Sequence, residues 1–160
     1  MIHVTAGDAG FPDGVDEGWV RAVCDSALAR LDRRGSEIGV ALVDDAFIRA
    51  LNAEWRGIDA ATDVLSFPQH EFPDGPNTLR PGAALLGDVA ISVDVAGRQA
   101  AEQGHGLRTE LAVLLVHGIC HLLGWDHEDP DDAAEMREVE ARLLHDIGEA
   151  APGLIERAGA

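Results

Sequence analysis

Residues 107–116, from Leu107 to Val116, are apolar on nearly every helical side, and they run directly into His117-Gly118-Ile119-Cys120-His121-Leu122-Leu123-Gly124-Trp125-Asp126-His127. A helix that is apolar almost all round is normally buried. An imidazole buried without a polar partner is costly, and this helix carries two. A single metal ion supplies the partner for both. His117 and His121 are one turn apart, so their rings share a face, about 6 Å apart along the axis. A helix that simply continued would point His127 the other way. Gly124 can adopt the left-handed conformation that ends helices, and the chain beyond it can bring His127 back over the first two rings.

Three imidazole nitrogens at roughly 2.0–2.1 Å suit zinc and leave a fourth tetrahedral position for water, the pattern of a catalytic rather than a structural site. His117, His121 and His127 are therefore the candidate metal ligands, with one Zn2+ per chain as the expected cofactor. Nickel or iron could also occupy three imidazoles. Cys120, on an adjoining helix face, reads as a small core residue rather than a fourth ligand. The spacing matches the H-x-x-x-H-x-x-G-x-x-H zinc helix of long-motif metalloproteases, with one departure. Their general-base Glu is replaced here by Gly118, which cannot take a proton. A peptidase or other small metal-dependent hydrolase is therefore a weaker alternative.

The 160 residues are 46% apolar, enough for one domain with a substantial core. No stretch approaches the ~20 apolar residues of a membrane span, and Met1-Ile2-His3-Val4-Thr5 has no basic region followed by an apolar run, so neither a membrane partner nor a secretory signal is expected. Two cysteines, Cys24 and Cys120, suit a reducing cytoplasm. The net charge is −17 and every basic residue is Arg. So acidic a protein cannot rely on general counterion release to bind nucleic acid, and DNA is not an expected partner. Residues 128–149 hold nine acids and two arginines, against nine and four in 56–127. Any RNA contact must be local, metal-assisted or helped by a partner, and the acidic stretch itself reads as a solvated helix face.

Hydrophobic periodicity gives the element order. Residues 2–5 read as a strand, and 15–34 as a helix with Val15, Trp19, Val23, Ala27 and Leu31 stepping by four. Ile38 to Val43 is a strand, after which Asp44 or Asp45 caps a helix that buries Phe47, Ile48, Leu51 and Trp55. Val64 to Phe67 is a strand stopped by Pro68. Four prolines and two glycines make 68–84 a loop long enough to line a cleft. Leu86 to Val93 is a strand, a helix runs to about Gln103, and Asp129 with Pro130 starts a last helix with Met136, Val139, Leu143 and Ile147 inside. The fold class is α+β, a small mixed sheet with helices packed on it. One domain is expected over 1–148, with a flexible tail over 149–160. Asp63 and Asp88 read as caps of loops or turns, and Glu110, almost two turns before His117 on nearly the same helix face, as solvent-exposed, with general base its weaker alternative. Asp126 is the carboxylate nearest the histidines, a turn or supporting residue and a weak general-base candidate.

Arg56 alone reads as a surface salt-bridge residue. Taken with Thr62-Asp63-Val64-Leu65-Ser66-Phe67-Pro68, with Leu86-Gly87-Asp88 and with the histidine motif, it makes the chain resemble the bacterial YbeY family of single-domain, zinc-dependent endoribonucleases from about residue 36 to 147. The resemblance implies a zincin-like sandwich related to metalloproteases, with His117, His121 and His127 on zinc and Arg56 as the functionally important arginine. It implies single-strand endoribonuclease activity in 16S rRNA 3′-end maturation and ribosome quality control. Trp125 stands where the family often has Tyr. On this reading Arg56 and the ion hold the scissile phosphate, and attack comes from zinc-bound water or from the neighbouring ribose 2′-hydroxyl. Expected partners are single-stranded ribosomal RNA, the small ribosomal subunit and basic ribosomal proteins, the last through charge complementarity. A non-catalytic ribosome-assembly factor stapled by zinc is the other alternative.

Overall fold

A computed structural model describes residues 1–8, 10–80 and 85–149. The order is β1 (Ile2–Ala6), α1 (Glu17–Arg30), β2 (Glu37–Val43), α2 (Asp45–Arg56), β3 (Val64–Pro68), β4 (Leu85–Ser92), α3 (Val93–Gln103), α4 (Leu107–Leu122) and α5 (Pro130–Asp146). This is an α+β fold. Among the described residues the strands form one mixed sheet in the order β1-β2-β4-β3, with β1, β2 and β4 parallel and β3 antiparallel to β4 at the edge.

Alternation along the strands gives the sheet two different faces. Ile2, Ile38, Val40, Leu42, Val64, Leu86, Val89 and Ile91 join the main core with Val20, Cys24 and Leu28 of α1 and Leu111, Leu115 and Ile119 of α4. On the opposite face, Val43 and Leu65 pack with Ile48 of α2 in a small second cluster. The helix α4 touches α1, α3, α5, β3 and β4, so from Glu110 to Cys120 it is buried on all sides as its composition requires. Asp16, Asp44, Ser92 and Asp129 accept N-terminal amide hydrogens of α1, α2, α3 and α5, each cap contributing about 1 kcal/mol.

Three expectations need correction. The first helix is shorter than 15–34, because Val15 is buried before it begins and Asp32 turns left-handed (φ 59°) after Arg30. In α2 only Ile48 and Asn52 are buried; Phe47 and Trp55 are 55% and 64% exposed, since this helix covers only part of its sheet face. Glu110 is 0% exposed, because the first turn of α4 directs Arg108 to solvent and Glu110 inward, where its Oε1 lies 3.3 Å from His105 Nε2. The expected tail over 149–160 lies outside the described residues apart from Glu149. That residue accepts from Thr109 Oγ1 at 3.2 Å. The end of the 68–84 loop, residues 81–84, is also outside them.

Candidate active site

The sequence reading expected Gly124 to turn the chain back, and it does so with φ 95°, closing α4 through Gly124 N–H to His121 O and Trp125 N–H to Cys120 O. The turn brings His127 back to the other two histidines. Ring centroids are 4.6 Å apart for His117–His121, 5.7 Å for His117–His127 and 5.3 Å for His121–His127. One nitrogen from each ring lies within 4.8 Å of the others. His117 Nε2 and His121 Nε2 are 3.1 Å apart. Two nitrogens on one tetrahedral ion at ~2.0–2.1 Å would sit about 3.3 Å apart, so the pair is close to ligand spacing. Three imidazoles of graded exposure, buried, half-buried and exposed, make a donor set that can hold a metal ion with one side open.

The distal nitrogens are also engaged. His117 Nδ1 lies 3.3 Å from Glu140 Oε2, a carboxylate 5% exposed on α5. A hydrogen bond to the backbone of Trp125 acts on His121. Ligating histidines commonly carry such partners, which fix the tautomer and aim the other nitrogen. Glu140 escaped the sequence reading because its acidic neighbours suggested a solvated face. The available signal was Met136, Glu140 and Leu144 stepping by four along the buried side of α5.

Burial, then the neighbouring His117 and His127, then the Arg56 charge lower the pKa of His121 to about 4, so its ring is neutral at physiological pH. Cys120 is fully buried, and burial followed by the Glu140 charge pushes its thiol well above the ordinary range, as fits a core residue and not a ligand. Asp126 sits in the turn and accepts from Glu128 N–H at 3.2 Å.

Gly118 has a structural reason. A Cβ there would lie 2.7 Å from Val89 Cγ1 and 3.0 Å from Val89 Cγ2, so α4 meets the sheet too closely for any side chain. The carboxylate that the protease motif places here has no room. Gly124 is similarly enclosed: a Cβ would lie 2.5 to 2.8 Å from Phe72 atoms. Phe72 belongs to the loop after β3, and Asn77 of the same loop donates N–H to Leu123 O at 2.7 Å. Asn77 is itself gripped by Arg33 through Oδ1 at 2.6 Å and O at 2.9 Å. The loop thus braces the turn that carries His127.

A cleft of about 830 Å³ opens on the sheet face that α2 leaves uncovered, lined by Trp55, Arg56, Ser66, Phe67 and Asp88 among others. Arg56 ends α2 ahead of Gly57, which is left-handed (φ 70°). It forms no salt bridge among the described residues, in contrast to Arg49, which pairs with Asp59 at 2.8 Å. Ser66 links cleft to centre, lining the one and donating to Gly118 O at 3.4 Å behind the other. Asp63 braces the start of β3, accepting from Val64 N–H at 2.8 Å and Gln99 Nε2 at 3.2 Å. Asp88, by contrast, is no cap: it stands mid-strand in β4 and faces the cleft.

The family profile described as Endoribonuclease YbeY matches residues 11–148. The chain belongs to the YbeY family. It is 48% identical over 136 residues to Endoribonuclease YbeY of Myxococcus xanthus, an alignment covering 85% of this chain and 44% of that one. Identity is 44% over 138 residues with the Desulforamulus reducens member, covering 84% and 90%. It is 50% over 123 residues with the chloroplastic one of Arabidopsis thaliana, covering 76% and 20%. The chain therefore spans less than half of the Myxococcus and Arabidopsis relatives. The solution structure of TM1509 from Thermotoga maritima shares the fold, with TM-score 0.63 and 24% identity over 96% of this chain and 99% of that one. No helix among the described residues is long and apolar enough to cross a membrane.

Proposed function

We propose that the chain is a zinc-dependent, single-strand-specific endoribonuclease acting in 16S rRNA 3′-end maturation and ribosome quality control. The observation that carries this reading is the convergence of three histidine nitrogens within 4.8 Å of one another, close enough to Arg56 for its charge to act on His121, in a chain of the YbeY family. Residues 1–148 act as one domain, in the cytoplasm, on ribosomal RNA within the small subunit and its basic proteins.

His117, His121 and His127 would hold the ion. Bound there, zinc supplies Lewis-acid polarisation of a phosphoryl oxygen and a lowered pKa for bound water. Everything else falls to the chain. Glu140 and the Trp125 backbone orient two of the rings. Arg56 offers a guanidinium whose fork matches two phosphate oxygens and positions the scissile phosphodiester at the mouth of the cleft. Gly118 and Val89 seal the site where a protease keeps its base, which favours RNA over peptide.

The test is a cleavage assay on single-stranded RNA. The wild type will cut, and Arg56→Glu will keep its metal and lose cutting. Full activity in Arg56→Glu would remove the phosphate clamp. Products ending in a cyclic phosphate would assign attack to the 2′-hydroxyl rather than to water.

A further inference from the structure

An unpaired carboxylate is out of place in a cleft meant for a polyanion, yet Asp88 lies on the cleft floor, exposed and with no hydrogen-bond or salt-bridge partner among the described residues. The fold takes specific steps to put it there. In β4, Leu86 and Val89 both face the core, three residues apart, because the register with β2 slips: Glu37 pairs with Leu85 and Ile38 with Gly87. Such a bulge adds one residue to a strand and re-aims the side chains beyond it. Without it Asp88 would share the core face of Leu86. Gly87 makes the bulge possible at φ 138°, where a Cβ would run into the carbonyl oxygen of Phe67. Across the sheet, Asp88 pairs with Gly39, and the Asp88 carboxylate folds over the space that a Gly39 side chain would fill.

The surroundings are aromatic. Trp55 is 64% exposed and meets the Phe67 ring edge-on, centroids 5.9 Å apart, and both line the cleft beside Arg56. An exposed indole next to a cation is the arrangement that stacks a base while its phosphate is held. His3, at the far wall, is occupied by Glu37 at 2.6 Å.

Resting on the endoribonuclease reading, we infer that this part of the cleft is a nucleobase subsite, with Trp55 stacking on the base and Asp88 selecting it by its Watson–Crick edge. Asp88 acts on the base, and the phosphate is left to Arg56. A carboxylate only accepts hydrogen bonds. Guanine presents N1–H and N2–H side by side, matching both oxygens. Cytosine and adenine present one amino group each. Uracil presents a single N–H flanked by two carbonyls that repel the carboxylate. The subsite therefore ranks guanine first and uracil last.

The experiment uses the metal-loaded full chain and single-stranded RNAs that carry guanosine or uridine at each position around one cleavage site. At one position guanosine is favoured about tenfold in kcat/KM. Asp88→Asn, the same size as the native residue, brings that ratio near one with metal content intact. Quenching of tryptophan fluorescence by 5′-GMP and 5′-UMP gives a second readout independent of cleavage. GMP binds about tenfold more tightly, and Trp55→Leu removes the quench. Equal use of both nucleotides at every position, or an unchanged ratio in Asp88→Asn, overturns the subsite while leaving the nuclease reading intact. Base-selective quenching that Asp88→Asn abolishes, in a protein that cuts no RNA, supports the subsite and removes the nuclease reading.

Discussion

Burial, the two neighbouring imidazoles and the Arg56 charge keep the His121 ring uncharged down to about pH 4. An unfolded histidine takes its proton near pH 6.5. Between those values the unfolded chain binds a proton that the folded one refuses, so the metal-stripped protein loses stability as pH falls from about 6.5 to about 4. Urea midpoints of that protein at pH 7 and pH 5 will show the drop. Glu140 offers a second test. Glu140→Ala will weaken metal binding roughly 10- to 100-fold, read by competition with a chelator, because His117 loses the carboxylate that fixes its tautomer. The histidine trio was legible in the sequence because two of the rings share one helix face and a glycine sits where the chain must turn. Glu140 was hard to read because its contact is 23 residues away on another helix, among acids that do face water.

Elements meet most tightly where α4 lies against β4. Gly118→Ala forces a methyl into Val89 and will cost about 1–3 kcal/mol of stability, measurable by urea unfolding. Adding Val89→Ala will recover part of that loss, so the two changes will not add. The loop after β3 is the other such contact. Asn77→Ala keeps the backbone N–H to Leu123 O but loses the side-chain bonds to Arg33 and Leu31 O that hold the loop, and will lower metal affinity, read by competition with a chelator, because that loop braces the turn that carries His127. Strands and the Asp44 and Asp129 caps were readable because alternation and an Asp before an apolar period are local signals, whereas the caps Asp16 and Ser92 fell inside the helix and the strand that periodicity alone drew too long. The outward turn of Phe47 and Trp55 was not, because periodicity cannot say how much of a sheet face a helix covers. The Leu85–Gly87 bulge was equally hidden, and it moves Asp88 from a presumed cap to the cleft floor.

At the scale of the molecule, on the endoribonuclease reading, a net charge of −17 sets how RNA would be held. Few phosphates can be neutralised, so binding will depend weakly on salt, with a slope of log K against log salt of about −0.7 per phosphate contact on a single strand. Arg56→Gln will make that slope shallower by about 0.7 in filter-binding titrations. Selectivity must then come from the cleft and the metal centre. The metal centre requires His117, His121 and His127 to share one ion, and titration of the metal-stripped protein with zinc tests that most directly. One tight site per chain is predicted for the wild type and for His145→Ala, which changes an exposed histidine in the last turn of α5 outside the trio, and none for His121→Ala. A wild type that takes up no zinc, or a His121→Ala protein that binds it as tightly as the wild type, would contradict the account.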